Sequence, residues 1–103
     1  MLKLLSANDF LPWVDQPCRV STEGYVFDLT IISVEEKSHL KRPEASRAPF
    51  SVLLIGSLDN SFESGLLNIE VTTGILAENV HIQRTSPPAG MEPQAAYYQI
   101  LFN

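Results

Sequence analysis

The sequence predicts a mainly β fold: a small antiparallel barrel or roll of about six strands with one short N-terminal helix, forming a single β-rich domain over residues 1–103. Three observations carry this. Apolar residues recur at period two in six separate segments, whereas helical signals occur in one. Turn-forming residues fall between those segments at near-regular spacing. The chain has 103 residues, 45% hydrophobic and 18% charged, which suits one buried core and excludes intrinsic disorder.

The helix is expected at the start. Ser6 and Asp9 stand three apart, so the Ser6 hydroxyl can accept from a backbone N–H of the first turn while Asp9 reaches back to the Ser6 N–H. Leu5 and Phe10 occupy the positions of a hydrophobic staple, and Trp13 lies three residues further round the same face. These three side chains should pack over one end of the sheet. Pro12 limits the element to two or three turns, ending near Asp15.

Six strands follow. Arg19–Thr22 and Tyr25–Val34 are joined through Glu23-Gly24, where glycine supplies the positive φ of a tight hairpin. In the second strand Tyr25, Phe27, Leu29 and Ile31 share one face and Val26, Thr30, Ile32 and Val34 the other, so it reads as central and covered on both sides. Phe50–Ile55 is dense in β-branched and aromatic residues and stops at Gly56; Leu66–Thr72, Asn79–Thr85 and Ala96–Phe102 complete the set. Asp59-Asn60, Ser64-Gly65, Thr73-Gly74 and the Pro87–Gly90 run with Pro93 are the turn signals between them. The spacing favours an antiparallel meander, and the sequence shows no internal repeat.

Charge bounds the partners. The segment from Glu36 to Arg47 carries four of the seven basic residues and two of the twelve acids, a net +2 that leaves –7 on the remainder. An acidic body repels phosphate backbones, and the basic segment lacks the aromatics that stack on bases, so nucleic-acid binding is not expected. Nowhere does an apolar run approach the ~18 residues of a membrane helix, and the first five residues have no signal-peptide character, so no membrane association is expected and a reducing, cytoplasmic setting is.

Candidate chemistry is sparse. Cys18 is the only cysteine, which excludes an internal disulfide and a cysteine-based zinc site; it reads as a buried, unreactive thiol. His39 and His81 are the only histidines and read as surface residues, His81 pointing away from whatever Val80 and Ile82 bury. Asp28, an acid inside an apolar strand, must be paired, neutralised or turned to water. Ser51 lacks a glycine-flanked elbow, and no glycine-rich phosphate loop exists. No cofactor, metal or catalytic residue is expected, and the protein does not read as an enzyme. Lys37, Lys41, Arg42 and Arg47 form the candidate partner-binding loop, suited to an acidic protein surface. With one large apolar residue, Leu40, that loop is expected to be mobile in the free protein.

Leu5–Pro12, Pro49–Gly56 and Tyr98–Asn103, together spanning nearly the whole chain, resemble a family of small bacterial proteins known only as a domain of unknown function. The shared motifs are packing patterns without a catalytic signature. This chain departs from the family with Gly65-Leu66-Leu67 where Gly-Thr-Tyr is frequent, and its Glu36–Ala48 loop is a local elaboration. The resemblance implies a loose association with phage-tail or tail-collar gene neighbourhoods.

Together these features point to a non-enzymatic accessory or assembly protein acting through protein–protein contacts, possible self-association included. The alternative is a small β-barrel binding module for an apolar ligand, lined by the two-faced strand.

Overall fold

A computed structural model describes residues 5–37 and 48–102. A helical turn, α1 (Ala7–Phe10), runs into a 3-10 turn at Leu11–Trp13, and six strands follow: β1 (Pro17–Thr22), β2 (Tyr25–Glu36), β3 (Phe50–Gly56), β4 (Ser64–Val71), β5 (Gly74–Thr85) and β6 (Ala96–Phe102). All neighbours are antiparallel, and the sheet closes into a barrel in the order β1-β2-β3-β6-β5-β4. The mainly β barrel with one short N-terminal helix is therefore what the chain forms.

The order corrects the expected single meander. Two three-stranded meanders, β1-β2-β3 and β4-β5-β6, join along β3–β6 and β1–β4, and each begins with a hairpin whose loop is two residues long. In β1–β2 the loop is Glu23-Gly24, with Gly24 at φ +82°. The first half of β5 escapes sequence reading because Glu78 and Asn79 break its alternation. Asn79 is a left-handed residue (φ +51°) at a register shift, and its N–H donates to Asn68 Oδ1 at 2.9 Å.

The inner wall is one apolar cluster to which every strand contributes: Val20 from β1, Leu29 and Ile31 from β2, Leu54 from β3, Ile69 from β4, Ile82 from β5 and Ile100 from β6. The expectation that β2 is covered on both faces fails. Phe27, Leu29 and Ile31 point inward; Val26 lies on the outer face, which no second layer covers here among the described residues, and Tyr25, on the inward row, is exposed at the hairpin tip. A register shift at Ile32 then sets Ser33 outward and pairs Val34 with buried Val52. Gly56 sits opposite Leu29, where a Cβ would collide with Leu29 Cδ2.

One end of the barrel is stoppered by the helix. Ser6 N–H donates to Asp9 Oδ2 at 2.8 Å, with the Ser6 hydroxyl on the same oxygen at 3.3 Å. Fully buried Phe10 places its ring 5.7 Å from Phe50 and 5.4 Å from Phe102, which stack on each other at 4.4 Å; Leu5 and Trp13 pack half-buried against the same core. The segment ends at Asp15 (φ +67°), whose N–H donates to the Ile31 carbonyl at 2.6 Å.

Candidate interaction site at the open end

Away from the helix, a second aromatic layer closes the core. Phe62, in the connection between β3 and β4, stacks on Tyr98 at 4.4 Å and lies tilted against Phe27 at 4.6 Å. The backbone locks it there: Phe62 N–H donates to the Tyr98 phenol oxygen at 3.2 Å, and the Asn60 amide donates to the Val26 carbonyl at 3.4 Å. No helix lies over this layer among the described residues.

What lies over it is a groove of about 420 Å³, floored by Phe27, Phe62 and Leu67 and walled by Tyr25, Val26 and Leu66. Its origin is the seam between β1 and β4. These strands pair at only three positions, Arg19–Ser21 against Glu70–Asn68, so Thr22 and Leu67 are past the last pair and the strands part. The β1–β2 hairpin tip then stands on one side and Ser64–Leu67 on the other.

Tyr25 (66% exposed) and Leu66 (61%) are the two most exposed large hydrophobic residues among those described, and Val26 is 52% exposed. All three line this groove. The lining holds no carboxylate, histidine, cysteine, lysine or arginine. The charged residues next to it in the chain are all acidic: Glu23, Asp28, Asp59 and Glu63. Asp28 is exposed and faces Arg19 Nε at 3.4 Å, which meets the expectation of an acid that is paired and turned to water.

On the other side of the β1–β4 seam, Cys18, Arg19, Asp28, Glu70 and Val71 border a smaller depression of about 280 Å³. Cys18 is buried, and burial first, with the Asp28 charge second, pushes its thiol from 9.0 up to about 11. The thiolate is thus disfavoured, and the thiol is buried as the sequence suggests. His81 is exposed. No three His, Cys, Asp or Glu side chains among the described residues are grouped to hold a metal ion, and no helix among them is long and apolar enough to cross a membrane.

Of the candidate loop, Lys37 lies within the described residues: its N–H donates to the Pro49 carbonyl at 2.8 Å, and its ammonium is 3.5 Å from Glu35. Lys41, Arg42 and Arg47, and with them the expected mobility of the loop, lie outside the described residues. The groove was missed by sequence reasoning because Tyr25 continues the inward row Phe27–Leu29–Ile31. The available signal was the Glu23-Gly24 turn, which puts Tyr25 at a hairpin tip, the place where a strand outruns its core.

Neither the curated proteins nor the solved structures contain a match to this chain. Residues 5–102, the helix and all six strands, match the family described as "Domain of unknown function (DUF6916)", and the chain belongs to that family.

Proposed function

We propose that this protein is a non-enzymatic accessory or assembly protein that docks another protein in the groove between the β1–β2 hairpin tip and the start of β4. One observation carries the reading: the two most exposed large hydrophobic side chains, Tyr25 and Leu66, share one groove with Val26. Tyrosine is favoured at interfaces because it combines apolar area with a polar tip. The lining supports contact more than catalysis, since beside its Thr22, Ser61 and Ser64 hydroxyls it offers no histidine, carboxylate or lysine to act as general acid or base. The resemblance to proteins of phage-tail neighbourhoods would make the partner a component of a tail-like assembly.

A second reading has its own support: about 420 Å³ falls within the range of small-molecule sites, and the aromatic floor suits an apolar ligand. The two readings separate in one experiment. A photo-crosslinking residue at Val26, with one at exposed Glu70 as control, is irradiated in extract of the native host. Docking predicts a discrete protein adduct from position 26, absent from position 70 and lost on adding excess unmodified protein. An adduct of small-molecule mass favours the ligand; equal labelling from both positions contradicts a groove-specific site.

A further inference from the structure

We infer that the groove's occupant is an extended, basic-flanked segment of a partner protein, added as a strand to the edge of β4 at Ser64–Leu67. The inference rests on the docking reading above and names what docks.

The edge is the first observation. β4 pairs β5 along Ser64–Leu67, but on its other side β1 reaches only Asn68–Glu70, so Ser64–Leu67 have no strand partner there among the described residues. Strand edges are commonly blunted by lysine or proline, and this one reads Ser64-Gly65-Leu66-Leu67. Gly65 leaves its backbone open to close approach.

The second observation is the fit of the surroundings. An added strand lies ~4.8 Å from its neighbour and turns alternate side chains to opposite faces. One face would rest on Phe27, Phe62 and Leu67, with Tyr25 and Val26 along the far wall. Main-chain pairing supplies affinity in this mode, and the apolar floor selects alternate side chains.

Charge selects the partner. Glu23, Asp59 and Glu63 flank the lining segments, all three are exposed, and no lysine or arginine lines the groove to balance them. A segment with lysine or arginine at its ends is complementary. A second copy of this chain is not, because a two-fold contact through this edge would bring the same acids face to face on two bodies each of net charge –5.

The probe is a synthetic peptide of alternating threonine and valine with two lysines at each end, titrated into the 15N-labelled protein. Two counterparts accompany it: one with glutamates at the ends, and one N-methylated at alternate amides along its pairing edge. Strand addition predicts that the lysine-ended peptide shifts the amides of Ser64–Leu67 and slows their hydrogen exchange. The glutamate-ended and N-methylated peptides should each bind at least about tenfold more weakly. In Glu23→Lys/Asp59→Lys/Glu63→Lys, changed only at exposed sites, the preference between lysine and glutamate ends should invert. Equal binding by the N-methylated peptide would overturn strand addition and leave groove docking standing. So would shifts confined to Tyr25 and Val26 without exchange protection at β4. A lysine-ended peptide that perturbs nothing in the groove, or a protein that dimerises through β4, also overturns the inference, while the cross-linking result decides docking separately.

Discussion

The two ends of the barrel are each closed by three aromatic rings, and among the described residues a helix covers only one of the two layers. At the helix end, Phe50 and Phe102 stack and Phe10 lies on them, held down by a capped turn with Leu5 and Trp13 beside it. At the open end, Phe27, Phe62 and Tyr98 make an equivalent layer, and above it stands a groove walled by exposed Tyr25, Val26 and Leu66. The difference separates two uses of apolar surface. At the helix end it is buried within the chain and contributes to folding; at the open end part of it is left in water, where it contributes to folding little and is free to meet a partner.

The comparison breaks most readily at Phe10. Phe10→Ala removes a fully buried ring and should cost about 3–4 kcal/mol, read as a lowered denaturant midpoint with unchanged slope. An unchanged midpoint would mean that the helix does not stopper the barrel. Gly56→Val comes next: its side chain must displace Leu29 in the core, at about 1–3 kcal/mol. Phe62→Ala, at the rim of the open layer, should cost about 2 kcal/mol, less than Phe10→Ala because Phe62 is only half-buried. A loss as large as that of Phe10→Ala would make the two ends equivalent and undo the distinction.

A smaller effect comes with pH. The Cys18 thiol is held up at about 11 in the folded chain and returns to its ordinary value of 9.0 on unfolding. The unfolded state therefore loses its proton first. The contribution of the neutral thiol to stability is complete below about pH 9 and falls away as pH rises toward 11. Stability curves of the wild type and Cys18→Ala should run parallel up to about pH 9 and converge above it. A thiol reagent at pH 8 should label the native protein far more slowly than the unfolded chain.

Much of the helix end is legible in the sequence, because its determinants are local. Ser6, Asp9, Leu5 and Phe10 lie within six positions, and cap and staple are both readable at that range. Strand existence is equally local, since alternation needs no partner. The open end is different. Tyr25 has the same parity as Phe27, Leu29 and Ile31, and whether it is buried depends on where β1 leaves β4, a register between residues some fifty positions apart. Strand order likewise rests on pairing β3 with β6 and β1 with β4, which periodicity does not encode. The bulges at Ile32 and Asn79 shift phase inside a strand, so alternation read across them assigns faces wrongly or ends the strand early.

The most direct test of the difference between the ends is Tyr25→Ser/Leu66→Ser, assayed for stability and for cross-linking from position 26 in the same preparation. The account predicts an unfolding midpoint within about 0.5 kcal/mol of wild type per substitution, together with loss of the protein adduct. A midpoint lowered as far as that of Phe10→Ala, or an adduct that survives intact, would contradict it.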